Sequence, residues 1–118
     1  MGARAAMSDE IPVIAVTGDG GFGQYMGELT TAVKYNMNIT HVLLNNCELG
    51  KISKEQRAGH WEVWQTHLHN PNFAEFAENC GAKGIRVENL SELEPALKAA
   101  LAHPGPAVVE VMSDAELI

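Results

Sequence analysis

The chain has 118 residues, 46% of them hydrophobic, and a formal net charge of −7. That length allows one domain, whose core buries roughly two-thirds of the unfolded surface. The negative charge argues against nucleic acid and anionic membrane as partners, and no apolar run approaches the ~18 residues of a membrane span.

The stretch Met1-Gly2-Ala3-Arg4-Ala5-Ala6-Met7 lacks the long apolar core of a signal peptide. Residue 6 is not Ser or Thr, so the myristoylation pattern fails. Its alanines read as the end of a helix continuing from upstream. Residues 11–17 are short, apolar and β-branched, bounded by a polar start and a glycine cluster, and predict a buried strand. The cluster at 18–23 reads as a loop. Met26, Leu29, Thr30 and Val33 then recur at helical spacing, which predicts a helix over 24–36 with one buried face. Residues 39–44 predict a second strand. Strand, helix and strand at this spacing form a βαβ unit with parallel strands, so Asp19 and Asn46 fall at the same carboxyl edge of the sheet, where open α/β sheets bind ligands.

Residues 48–71 form the least regular part, with a helical turn possible over 53–58. Asn72 is a good N-cap with Glu75 three residues on, and Gly81 stands just past the helix end. A short strand follows over 84–88. Ser91-Glu92-Leu93-Glu94 reads as a capping box opening a helix to about residue 102. His103-Pro104-Gly105-Pro106 ends that helix, and 107–112 is the last strand. The order βαβ-loop-αβαβ predicts an α/β fold: a mainly parallel sheet flanked by helices, Rossmann-like and three-layered, shortened at the N-terminal side. Residues 1–118 are read as a single partial domain.

Gly18-Asp19-Gly20-Gly21-Phe22-Gly23 fits the G-x-G-x-x-G dinucleotide fingerprint, a weak signal alone. Asp19 would repel a pyrophosphate unless a cation lay between them. The second strand ends in Asn45-Asn46 rather than in the acidic residue that holds a ribose. Both objections vanish with Mg²⁺, which takes roughly six oxygens, usually one or two of them from carboxylates. No Gly-Lys-Ser/Thr follows, so a Walker-type loop is excluded.

On Gly18-Asp19-Gly20 and Asn45-Asn46, the chain resembles the thiamine-diphosphate-dependent 2-oxoacid enzymes (pyruvate oxidase, quinone-linked pyruvate dehydrogenase, acetolactate synthase and relatives). The likeness is to their C-terminal diphosphate-binding domain and runs over residues 11–114. The stretches at 45–56, 72–77 and 84–88 look most like the pyruvate oxidase branch, although Lys51 replaces an apolar residue. The resemblance implies Mg²⁺ held by Asp19, the Asn46 side chain and the main-chain oxygen of Glu48. It implies backbone N–H groups of Gly20 and Gly21 on the diphosphate. Gly18, Leu49, Gly50, Lys51 and Ile52 would also line the cofactor, with Ile52 and Glu55 toward the substrate and residues 48–71 shaping the active-site entrance. It further implies that the glutamate activating the aminopyrimidine belongs to a separate N-terminal domain of a neighbouring subunit. Nothing here corresponds to that domain, or to the middle domain that could bind FAD in a full-length enzyme. The expectation is therefore the Mg²⁺–diphosphate half of a site acting on a 2-oxoacid, probing as inactive alone, oligomeric, and completed by further domains or a partner subunit.

Blander readings stand beside these. Asp19 could cap a turn or helix, and Asn46 could make an Asx turn. Cys47 reads as a buried inert thiol, and Glu55 equally as a solvated helix residue. His60, His67 and His69 lack zinc-site spacing and read as solvated. Trp61 and Trp64 suit a loop anchor or a partner contact. Two cysteines, Cys47 and Cys80, form no disulfide framework, which suggests a reducing cytoplasm. An acetolactate synthase-type carboligase fragment and a non-catalytic nucleotide- or phosphate-binding module remain as alternatives.

Overall fold

A computed structural model describes residues 1–8 and 10–117. Four strands, β1 (Val13–Gly18), β2 (Ile39–Asn45), β3 (Lys83–Val87) and β4 (Ala107–Met112), form one parallel sheet in the order β1-β2-β4-β3. Among the described residues six α-helices accompany them: α1 (Gly2–Ala6), α2 (Asp19–Tyr25), α3 (Leu29–Lys34), α4 (Gly50–Ala58), α5 (Phe73–Asn79) and α6 (Leu90–Leu101). The last strand, the Asn72 cap (Glu75 N–H to Asn72 Oδ1, 3.0 Å) and Gly81 at φ +88° match the sequence expectations. Among the described residues, no helix is long and apolar enough to cross a membrane.

The first strand begins at Val13 rather than residue 11 and, with Ile14 and Val16 exposed, is not the buried strand expected; three further boundaries differ. The glycine cluster is not a loop: α2 starts at Asp19, directly after β1, and a 3-10 turn at Met26–Glu28 separates it from α3. The helix forms despite three interior glycines because it drives Phe22 against Leu43 and Phe73, with Phe22 and Phe73 edge-to-face at 5.4 Å. Residues 53–58 are the end of a full helix that begins at Gly50. The cap of α6 is Asn89, not Ser91; the Glu92 carboxylate accepts the N–H groups of Asn89 and Glu88, both at 3.0 Å. Those bonds hold its carboxyl below the usual range.

Alternation along the strands divides the core in two. Phe22, Leu43, Phe73, Ala77, Ala82 and Val108 pack on one face beneath α2, α3 and α5. Val87, Ala96, Ala100, Ala107 and Val109 pack on the other beneath α6. That second layer stops short of β1. Ile14, Val16 and Leu44 are 52%, 63% and 45% exposed, and Ile14 and Leu44 line a groove that is also walled by Leu97 and Leu101. The sheet is thus three-layered at one side and open at the other.

His41 of β2 lies on the first face, with Nε2 2.7 Å from Thr17 Oγ1 and its ring edge-on to Phe22. Burial, with a smaller push from the Met1 amino group, lowers its pKa. The unfolded chain therefore binds this proton more readily. Stability from neutral His41 is present above the unfolded value of about 6.5 and declines as pH falls below it. The melting temperature is expected to drop between pH 7.5 and 5.5, and less so in His41→Gln. Equal slopes in the two proteins would contradict this.

Candidate functional site

Gly18 pairs with Leu44 in the register of β1 on β2, so the residues that follow leave the sheet side by side. Asp19 is the first residue of α2 and is only 3% exposed. Its Oδ1 accepts the Gly20 N–H at 2.9 Å, and its Oδ2 accepts Asn70 Nδ2 at 2.7 Å. The turn after β2 is shaped by two successive carboxamides. Asn45 Oδ1 accepts the Cys47 N–H at 3.2 Å, and Asn46 Oδ1 accepts the Glu48 N–H at 3.1 Å. Cys47, directly after them, stands at φ 55°, a left-handed conformation uncommon outside glycine. The thiol is only half-buried, so it is not the buried cysteine expected.

Asn46 therefore does make an Asx turn, and its oxygen keeps a second lone pair. The Glu48 side chain turns away, toward Ser53 Oγ and Thr66 Oγ1. Its main chain forms an antiparallel bridge with His67, framed by Leu49 N–H to Thr66 O and Leu68 N–H to Cys47 O, both 2.8 Å. No hydrogen bond from a described residue reaches the Glu48 main-chain oxygen. The Asp19 carboxylate and the neutral oxygens of the Asn45–Glu48 turn thus lie at the same sheet edge. No group of three or more His, Cys, Asp or Glu side chains among the described residues suits a metal. An all-oxygen donor set with a single charge fits a hard cation that retains water and phosphate ligands, and does not fit zinc.

The glycines serve different purposes. A Cβ on Gly20 would stand 2.8 Å from Leu49 Cδ2, so its absence lets α2 pack against the turn before α4. Gly18 and Gly21 have open space where a side chain would be. The first-turn N–H groups of α2 lack intrahelical acceptors, and that of Gly20 is directed at Asp19. Gly50 is buried at the start of α4, while Lys51, Ile52 and Glu55 are exposed along it. Among the described residues, neither Lys51 nor Glu55 is bonded to Asp19 or Asn46. His60, His67 and His69 are exposed and do not cluster. Trp61 and Trp64 are 71% and 69% exposed, and the Gln56 side chain clamps the Trp64 backbone at 3.1 and 3.2 Å.

Sequence reasoning missed Asn70, Glu110 and Arg86. Glu110 is fully buried in β4 and accepts from Asn45 Nδ2 (2.7 Å), Arg86 Nη1 (3.1 Å) and the Ala74 N–H (3.1 Å). The available signal was a lone charge inside Ala107-Val108-Val109-Glu110-Val111, because a buried carboxylate needs partners.

Residues 1–111 match the family described as thiamine pyrophosphate enzyme, C-terminal TPP binding domain. YdaP of Bacillus subtilis, whose name describes a thiamine pyrophosphate-containing protein, is 50% identical over 109 residues, covering 92% of this chain and 19% of that protein. The mitochondrial acetolactate synthase catalytic subunit of Saccharomyces cerevisiae is 34% identical over 115 residues, covering 97% and 17%. The thiamine diphosphate-dependent 4-hydroxybenzoylformate decarboxylase of Rhodococcus jostii RHA1 superposes with a TM-score of 0.87 at 27% identity, covering 96% of this chain and 21% of that one. The chain spans about a fifth of the length of these relatives.

Proposed function

Because the chain belongs to the thiamine pyrophosphate enzymes, as their C-terminal TPP-binding domain, we propose that it holds the Mg²⁺–diphosphate end of the cofactor in an enzyme that decarboxylates a 2-oxoacid, with pyruvate as the substrate in an oxidase- or dehydrogenase-type reaction. The observation that carries this reading is the buried Asp19 carboxylate beside the Asn45–Glu48 turn. Asp19 supplies the one charged ligand, Asn46 Oδ1 a neutral one, and the Glu48 main-chain oxygen a third. Gly20 and Gly21 form the turn facing the diphosphate, with the Gly21 N–H as the donor because that of Gly20 is held by Asp19 Oδ1, and Gly18 and Gly21 leave room for it. Leu49, Gly50, Lys51 and Ile52 form the cofactor side of α4 and the turn before it, and Ile52 and Glu55 face the substrate. When bound, thiamine diphosphate supplies the nucleophile for the 2-oxoacid carbonyl and the sink for the electron pair freed by loss of CO₂. The chain's own part is to anchor and orient, while the residues that activate the cofactor come from further domains or a partner subunit.

Calorimetric titration of the chain should show thiamine diphosphate binding only with Mg²⁺, no NAD⁺ binding, and no turnover of pyruvate by the chain alone. NAD⁺ binding, or cofactor binding indifferent to Mg²⁺, would favour a non-catalytic phosphate-binding module instead. The acetolactate synthase matches support carboligation as a second reading, and product analysis of a complete enzyme would separate the two.

The open sheet face argues for assembly with other chains, because an exposed apolar face recruits partners. Light scattering is expected to show self-association of the chain, reduced in Val16→Lys. A monodisperse monomer at high concentration would count against it.

A further inference from the structure

We propose that Asn70 is a positioning residue for the Asp19 carboxylate, and that its orientation is dictated by a buried relay running through Asn45 to Glu110. The proposal rests on the reading of Asp19 as a cation ligand given above.

The polarity of the relay follows from its two ends. An ionised carboxylate only accepts hydrogen bonds. Glu110, paired with Arg86, therefore requires the amino end of Asn45, which approaches its Oε1 at 2.7 Å. Asn45 must then present its oxygen to the loop before α5. That oxygen accepts the Cys47 N–H at 3.2 Å and, more closely, Asn70 Nδ2 at 2.9 Å. The same nitrogen carries a second hydrogen, which reaches Asp19 Oδ2 at 2.7 Å. Flipping the Asn70 amide would set its oxygen against two other oxygens, so only one orientation satisfies the group. No buried side-chain polar atom among the described residues lacks a partner, as a closed relay requires.

The consequence for Asp19 is specific. One oxygen is held by Gly20 N–H and the other by Asn70, and each retains a lone pair. Arg86 balances Glu110, whereas Asp19 has no ion pair with a lysine or arginine among the described residues. The carboxylate is thus fixed in direction by neutral donors while its charge stays uncompensated, the state in which a cation gains most from it. Outer partners of metal ligands commonly change metal affinity by 10- to 100-fold when removed.

The test is Mn²⁺ affinity of the chain with saturating thiamine diphosphate, read by electron paramagnetic resonance, in Asn70→Ala, Asn70→Ser, Asp19→Ala and Asn72→Ala. Asn72 caps α5 two residues away and does not touch Asp19. Asn70→Ala is expected to weaken Mn²⁺ by about tenfold or more. Asn70→Ser, which keeps one donor, should lose less. Asn72→Ala should lower the melting temperature with Mn²⁺ affinity unchanged. Should Asn70→Ala fail to fold, a loss in folded Asn70→Ser still supports the proposal, and wild-type affinity there overturns it. Wild-type affinity in Asn70→Ala, with affinity lost in Asp19→Ala, overturns the positioning role alone. An equal loss in Asn72→Ala also overturns it, because general destabilisation would then suffice. Wild-type affinity in Asp19→Ala would instead sink the cation reading on which the proposal rests.

Discussion

Asp19→Ala is expected to abolish Mg²⁺-dependent binding of thiamine diphosphate, weakening it by at least about 100-fold, or ~2.7 kcal/mol. In the proposed reading Asp19 is the charged ligand, because the Glu48 side chain is turned toward Ser53 and Thr66. Without it, the diphosphate faces neutral oxygens alone, and nothing bridges the two. Asp19→Asn separates charge from shape: it keeps an oxygen in place, so an intermediate loss is expected. Titration calorimetry with and without Mg²⁺ measures both variants. Unchanged affinity in Asp19→Ala would overturn the assignment of this residue. The same change frees one hydrogen of Asn70, so a modest loss of stability, about 1 kcal/mol, should accompany it.

Gly84→Ala is expected to be the most damaging single methyl in the fold. A Cβ on Gly84 would lie 1.9 Å from the Ala74 carbonyl oxygen and 2.7 Å from its carbonyl carbon. These are backbone atoms of α5, and Ala74 is tied by its N–H to buried Glu110 at 3.1 Å. Neither side can yield by a side-chain rotation, so α5 must move off β3. The expected cost is about 3 kcal/mol or more, the upper end for overpacking. That corresponds to a melting temperature roughly 10 °C lower. Gly23→Ala is the control, since nothing lies within 4 Å of its Cβ position on α2. It should raise stability by about 0.5–1 kcal/mol through helix propensity. Thermal melts by circular dichroism compare the two, and a Gly84→Ala protein that melts like wild type would contradict this packing.

Both predictions join at Glu110. It anchors α5 through Ala74 and anchors Asn45 through its amide, so the helix position and the site are set by one buried carboxylate. Sequence periodicity reads strands such as Ala107–Met112 well, because an apolar run between turn residues is a local signal. It misplaced the start of α2, because glycines favour a loop locally, by ~1 kcal/mol each against alanine. Burial of Phe22 against Leu43 and Phe73 outweighed that preference. Likewise Ser91 and Asn89 both satisfy a capping pattern, and only the path of the chain out of β3 selects Asn89.

The sequence by itself determined the α/β class, the shared sheet edge of Asp19 and Asn46, and the family to which the chain belongs. Those depend on local period, on the right-handed βαβ rule and on a two-part motif, all written along the chain. Only the tertiary structure decided the strand order β1-β2-β4-β3, the open face over Ile14 and Val16, and the partners of Asp19. Asn70 lies 51 residues from Asp19, and Glu110 lies 65 from Asn45. Hydrogen bonds across such separations follow no periodicity. They arise because buried carboxylates and amides must find donors and acceptors wherever the packed chain brings them.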